Sequence, residues 1–205
     1  MSSPDTGTSE LRTRADETRD RLYRAAASAF AERGFYGTST RDIAAAAGMS
    51  PAAVYVHHRS KEELLHHISR RGHQDTLDLV REAVASSDEP AGQLVAVVRA
   101  FAVHHARAHT SARVVNYELA ALDAQHLPEI LEMRREIAAE IRRLVERGVA
   151  DGVFHTTNPR MTATALLSLG IDIARWYTEG GEWRPEDVGE FYADLALRMV
   201  ACRRD

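Results

Sequence analysis

The chain has one cysteine, Cys202, among its 205 residues. A lone thiol excludes an internal disulfide framework and zinc held by sulfur. No apolar run approaches the roughly 20 residues of a membrane-spanning helix, and the N-terminus has no apolar core of the signal-peptide kind. The expectation is a soluble cytoplasmic protein with no membrane partner. A glycine-rich phosphate loop, a nucleophile elbow and a cysteine placed for catalysis are all missing. Glu118 and Asp123 are carboxylates without a matching partner, so no catalytic residue, no cofactor and no enzyme is expected. No stretch alternates apolar and polar residues over the length of a strand, and no internal repeat appears.

What the chain has is helix punctuation, concentrated between Thr38 and Leu65. Ser39 followed by Asp42 has capping-box spacing: the hydroxyl accepts an N–H of the first turn and the carboxylate reaches back. The helix opened there spans Thr40 to Ala47 and stops at Gly48, which takes the left-handed conformation a helix end needs. Ser50-Pro51 opens a second helix, and Ser60 with Glu63 repeats the capping box to open a third. Helix, four-residue turn, helix is the helix-turn-helix unit. Its spacing is testable. Ala44 must be small where the helices cross, Gly48 makes the turn, and Val54 points back into the angle between them. Such a pair lays its second helix in the major groove of DNA.

These residues also resemble the TetR-type transcriptional repressors. The likeness rests on Phe30-Ala31-Glu32-Arg33-Gly34-Phe35, Thr38-Ser39, Arg41-Asp42-Ile43-Ala44, Ala47-Gly48-Met49-Ser50, Tyr55 and Ser60-Lys61-Glu62, over about residues 18 to 65. It implies an all-helical homodimer whose grip on DNA is released by a small ligand. Two positions depart from the family pattern: His58 stands where phenylalanine is usual, and Ala52 where glycine is frequent.

Charge is distributed as a DNA binder requires. The whole chain carries −4, but Leu11 to Arg71 holds 11 basic and 7 acidic side chains, and the excess of acid lies in the remainder. A basic end and an acidic body orient the molecule toward phosphate. Residues 1–15 read as a disordered tail whose Arg12 and Arg14 reach a minor groove or stay solvated. Residues 16–62 form a three-helix DNA-binding domain, its first helix running from Thr18 to Arg33. Residues 63–205 form a larger helical domain for ligand binding and dimerisation. Its helices are expected from Ser60 to Ser86 with a bend at Gly72, then Ala91–Ala108, Ser111–Ala124, Leu127–Ala150, Asn158–Thr178 and Pro185–Arg203. The fold class is all-α.

Thr40 and Arg41 start the first helix of the pair and are placed to hold phosphate. Ser50, Pro51, Ala52 and Ala53 lead the recognition helix; their short side chains suit thymine methyl groups better than guanine. Tyr55, His57 and Lys61 follow as phosphate donors, and the family resemblance supports Thr40, Tyr55, His57 and Lys61 in these roles. The last two helices offer Leu166, Leu169, Ile173, Phe191, Leu195 and Met199 as a dimer face, since packing against a second copy gives a four-helix interface. Two recognition helices then meet half-sites about 34–36 Å apart.

For the ligand pocket the inward candidates are Phe101, His105, Tyr117, Met133 and Trp176, with Arg113 and Arg175 near its mouth; Glu118 is a further inward candidate. His105 and His109 have i, i+4 spacing for a metal with Glu118, but the adjacent His104 and the abundance of histidine read as chance, and no metal is expected. Ala174-Arg175-Trp176-Tyr177, Gly180-Gly181, Pro185-Glu186 and Tyr192-Ala193-Asp194-Leu195 resemble the C-terminal signature of TetR-type regulators of fatty-acid breakdown. That resemblance implies an acyl-CoA effector; the same residues also suit a helix end at a dimer interface. The partners expected are double-stranded DNA, a small effector and a second copy of the chain. The alternatives are a different hydrophobic effector, or a helical interaction module that does not bind DNA.

Overall fold

The polar face that each helix leaves to solvent and the apolar stripe it buries decide the architecture. The protein is described by a computed structural model covering residues 6–201, with side chains from Asp16 onward except His57. Cys202, the side chains of Arg12 and Arg14, and that of His57 lie outside the described residues. Among the described residues every regular element is a helix, as expected: α1 (Thr6–Arg33), α2 (Thr40–Ala46), α3 (Pro51–His57), α4 (Lys61–Ala85), α5 (Pro90–Arg107), α6 (His109–Tyr117), a 3-10 turn (Leu119–Ala121), α7 (Leu127–Ala150), α8 (Pro159–Trp176) and α9 (Pro185–Ala201). None of these helices is long and apolar enough to cross a membrane.

Most ends fall where the capping residues put them. Ser39 and Asp42 form the reciprocal box, Ser50 accepts from the Ala53 N–H at 3.2 Å, and Gly48 adopts φ +64°. Three expectations need correction. Residues 6–15, read as tail, are helical; after Gly7 nothing breaks a helix there, and Glu10, Leu11, Arg12 and Arg14 are good helix formers. The box at Ser60 is open on one side: Ser60 accepts from the Glu63 N–H, but the Glu63 carboxylate takes the N–H of Arg59 rather than that of Ser60. The helix expected to reach Ala124 ends at Tyr117, because tertiary bonds outweigh local propensity. The Glu118 carboxylate accepts from the Phe35 N–H at 3.4 Å, and the Asp123 N–H donates to Glu62 at 2.9 Å.

Two cores are strung along one helix. The first joins Leu22, Ala26 and Phe30 of α1, Ile43 and Ala44 of α2, Val54 of α3, and Leu64, Leu65 and Ile68 of α4. It also takes in Val114 and Val115 of α6 and Ile130 of α7, so the reading unit is closed by the body that follows it. The second holds Leu77 and Val80 of α4, Leu94, Val97 and Phe101 of α5, Ile137, Ile141 and Leu144 of α7, Leu166 of α8 and Val200 of α9. Each buried leucine or isoleucine contributes about 1.5–3 kcal/mol, and α4 supplies such residues to both.

Gly72, expected to bend α4, instead lets α6 approach. The helix is continuous through it, and a Cβ there would lie 2.7 Å from Val115 Cγ2. Valine is branched and stiff, so it yields little. Replacing Gly72 with valine is expected to cost about 1–3 kcal/mol through overpacking, despite the gain in helix propensity; an unchanged midpoint in urea unfolding would contradict that packing role.

Candidate functional site

The first part of the site is the leading end of α3. Ser50, Pro51, Ala52 and Tyr55 are exposed there, Ala53 is half-buried, and Val54 alone turns fully inward. Tyr55 therefore faces solvent instead of filling the core. Arg41 is exposed and Thr40 half-buried at the start of α2. The sequence reading missed Tyr36 and Val56, which stand 81% and 80% exposed on the same small unit. Beneath α3, His58 is buried between the Tyr23 and His67 rings, at centroid distances of 5.6 and 5.1 Å. The histidine that stands here in place of phenylalanine thus keeps an aromatic packing role.

Lys61 is not a free phosphate donor. Its ammonium donates to the carbonyl oxygens of Phe35 and Thr38 at 2.8 and 3.0 Å and lies 4.2 Å from the Phe35 ring centroid. It braces the α1–α2 loop against α4, a role invisible in sequence because those carbonyls belong to residues more than 20 positions away.

The second part is the joint behind the reading unit. Glu62 receives the Asp123 N–H and pairs with His126 at 2.9 Å. Glu129 pairs with His66 at 2.7 Å and Arg70 at 2.8 Å, and Arg71 meets Asp20 at 2.6 Å. The His66 and His126 rings stack at 3.9 Å. Among the described residues, one group has metal-ligand spacing: His58, Glu63 and His67, with ligand atoms within 4.8 Å of one another. His105, His109 and Glu118, weighed for a metal from the sequence, form no such group.

The third part is a partly open cavity of 270 Å³ between α4 and α8, lined by His73, Phe101, His105, Asn116, Arg134, Ile137, Leu167 and Ile171, among others. A neighbouring cavity of 240 Å³ reaches toward α1 and shares Thr76, His105, Val115 and Asn116 with it. On the other side, a groove between α7 and α8 shares Ala138, Thr164 and Leu167 with the inner cavity and is edged by Arg135, Arg142 and Arg160. Burial holds His73 and His105 well below the ordinary histidine range, each at about 4, so both are neutral near pH 7.

Of the expected pocket residues, Phe101 and His105 line this cavity. Arg113, Tyr117 and Arg175 meet at the α6–α8 seam: Arg113 Nε donates to Ala174 O at 3.5 Å, the Tyr117 hydroxyl to Asp172 at 3.3 Å, and the Arg175 guanidinium lies 5.6 Å from the Tyr117 ring. Met133 is half-buried beside the lining. Trp176 belongs to an open groove with Trp183, Phe191 and Tyr192. Arg134, His73 and Asn116 were missed, although Arg134 falls on the same α7 stripe as Ile130, Ile137 and Ile141. A charge on an apolar stripe was the available signal.

The expected dimer face needs revision. Leu166 and Ile173 are buried in the chain's own cores, Met199 packs against the second core, and Leu195 is half-buried. The reason is that α8 and α9 both bury their stripes on α5; a Cβ at Gly189 of α9 would lie 2.6 Å from Val103. What remains exposed is Leu169, Trp176 and Trp183, with Met161 and Phe191 at 67% and 66%.

A capped, solvent-facing recognition helix joined by one long helix to a hollow helical body defines a ligand-responsive DNA-binding regulator. Comparison with known proteins agrees. The model for bacterial regulatory proteins of the tetR family matches residues 22–68, and that for the tetracyclin repressor-like C-terminal domain matches residues 87–200. The HTH-type transcriptional repressor KstR2 of Rhodococcus jostii is 31% identical, over 89% of this chain and 91% of that protein. A solved tetR-family regulatory protein from Rhodococcus RHA1 superposes with a TM-score of 0.84 at 37% identity, covering 91% of this chain and 98% of its own. AibR, solved with isovaleryl coenzyme A and operator DNA, shares the fold with a TM-score of 0.74 at 24% identity, over 87% of this chain and 97% of its own. The chain belongs to the TetR family of transcriptional regulators and is not an enzyme.

Two outcomes follow from this geometry. Lys61→Met should lower stability by about 1–3 kcal/mol, since two part-buried carbonyls lose their donor; a variant that melts like the native protein would return Lys61 to a surface role. Because His73 and His105 titrate lower in the fold than in the unfolded chain, the unfolded state binds more protons between about pH 6.5 and pH 4. Stability is therefore whole above pH 6.5 and falls on acidification through that window, by roughly 3 kcal/mol per histidine at most. Urea midpoints that do not fall from pH 7 to pH 5 would contradict this.

Proposed function

We propose that the protein is a cytoplasmic repressor that binds a palindromic operator as a homodimer and is released by an acyl-CoA thioester. The observation that carries the effector assignment is continuity: the apolar inner cavity opens, through Ala138, Thr164 and Leu167, onto a groove edged by three arginines. An acyl chain suits the first compartment and the phosphates of a nucleotide the second. Arg160 has no ion-pair partner among the described residues, whereas Arg135 and Arg142 pair with Glu132 and Glu146. These three replace Arg113 and Arg175 as the mouth. That AibR, of the same fold, holds isovaleryl coenzyme A supports the same reading.

DNA contact is assigned to Thr40, Arg41, Ser50, Pro51, Ala52, Ala53, Tyr55 and His57. The two copies meet through Met161, Leu169, Trp176, Trp183 and Phe191, an exposed apolar set of the kind that marks an association surface. Bound thioester favours a dimer whose recognition helices no longer match successive major grooves, and the difference in its affinity for the two states sets the loss of operator affinity.

The test is selection of bound duplexes from a random pool, then competition by acyl-CoAs. Recovered sites should be palindromes with half-sites about one duplex turn apart, released by medium-chain acyl-CoA and not by free CoA. Recovery of no site at low salt would overturn the regulator reading, and release by free CoA alone would overturn the thioester. Phe191→Glu should yield a monomer in sedimentation and weaken operator binding at least about tenfold; a dimeric variant with full affinity would place the interface elsewhere.

A further inference from the structure

The body cavity contains a cation that no described side chain neutralises. Arg134 stands on the inward stripe of α7 and lines the cavity. Its Nη1 donates to Asn116 Oδ1 at 3.0 Å and to His73 Nε2 at 3.2 Å. Both acceptors are themselves fixed: the His73 Nδ1–H donates to Ser69 O at 2.8 Å, and Asn116 Nδ2 to Ala112 O at 2.9 Å. The His73 bond settles its tautomer and leaves Nε2 to accept. Both protons of Nη1 are thus occupied, by two neutral groups.

The other edge of the guanidinium, Nε–H and Nη2–H, has no partner among the described residues, and no described carboxylate lies within ion-pair distance. Three other arginines of α7 each have an acid: Arg135 has Glu132, Arg142 has Glu146 and Arg143 has Glu140, while Arg147 donates to the Gln93 side chain outside this cavity. A guanidinium does not shed its proton to relieve burial, and a charge half-buried as Arg134 is, without a counter-charge, is costly. An edge held by neutral acceptors, with the opposite edge open, is the geometry that grips a planar anion through two parallel bonds.

We propose that Arg134 is an anion anchor: the effector's buried end carries a carboxylate that pairs with the Nε and Nη2 edge of Arg134. Its apolar body lies against Phe101, Ile137, Leu167 and Ile171. The 270 Å³ cavity takes a chain of at least roughly eight heavy atoms, at the liquid volume of about 30 Å³ for a water-sized group. The inference rests on this cavity being the effector site. Two sources supply the same chemistry: a free medium-chain acid, or an acyl thioester whose acyl group ends in a second carboxylate.

Calorimetric titration of the full chain with two probe pairs separates them: octanoate against octan-1-ol, and octanedioyl-CoA against octanoyl-CoA. In at least one pair the carboxylate-ended probe should bind roughly 10–100-fold more tightly, and the pair that shows it identifies the source. Arg134→Gln should remove the preference, bringing the carboxylate-ended probe down to the affinity of its neutral counterpart. Arg134→Lys, which keeps the charge and loses the fork, should retain only part of it and decides the matter if the glutamine variant does not fold. Equal affinity within both pairs, a preference that survives in Arg134→Gln, a full preference in Arg134→Lys, or no binding of any probe overturns the anchor. Operator binding by the same preparations separates the two readings. A carboxylate preference in a protein that holds no duplex leaves the anchor standing and defeats the regulator; operator binding without the preference does the reverse.

Discussion

One helix is shared by two cores, and the rest of the molecule is arranged around that constraint. α4 gives Leu64, Leu65 and Ile68 to the reading unit and Leu77 and Val80 to the body. Between those sets Gly72 removes the one side chain that would hold α6 away, so Val115 rests directly on the α4 backbone. Val115 belongs to the core of the reading unit and also lines both adjoining cavities. A group that fills the cavity therefore presses on a residue packed with Val114, Ile68 and their neighbours. Close-packed interiors transmit such displacement because they have little void in which to absorb it.

Polar contacts reinforce the same joint. Glu118 reaches the Phe35 N–H, Glu62 holds Asp123 and His126, and Glu129 holds His66 and Arg70. Most of these pairs are partly exposed, and each contributes little alone. Their value is positional, since they fix the α6–α7 connection against the first turns of α4. Lys61 does the same on the opposite side by binding two loop carbonyls. The basic reading end is thus less rich in free cations than its composition suggests, and base contact is proposed for the short side chains that lead α3.

Local signals were legible in the sequence and tertiary ones were not. Ser39, Asp42, Gly48, Ser50 and Pro51 act within four residues of their own position, so the helix-turn-helix and its boundaries could be read directly. The family resemblance carried the same stretch to a DNA-binding function. Leu166 and Ile173 were misplaced because a helical stripe shows that a face is apolar and not what covers it, and Lys61 because the carbonyls it binds are more than 20 positions away. In α8 the stripe turned out to face α5 and α7, leaving Leu169 and Trp176 outside. The helix end at Tyr117 was hidden for a related reason, as the bonds that stop it come from Phe35 and Glu62. Arg134 was legible in principle, and was passed over because apolar positions were sought on that stripe.

We propose that occupancy of the body cavity is felt in the reading unit through α4 and α6. Amide hydrogen exchange, with and without octanoyl-CoA, measures this most directly. Coupling of this kind alters exchange in residues 61–72 and 109–117 and in α2 and α3, alongside the cavity walls. Changes confined to α5, α7 and α8, with residues 22–68 exchanging as in the free protein, would contradict it.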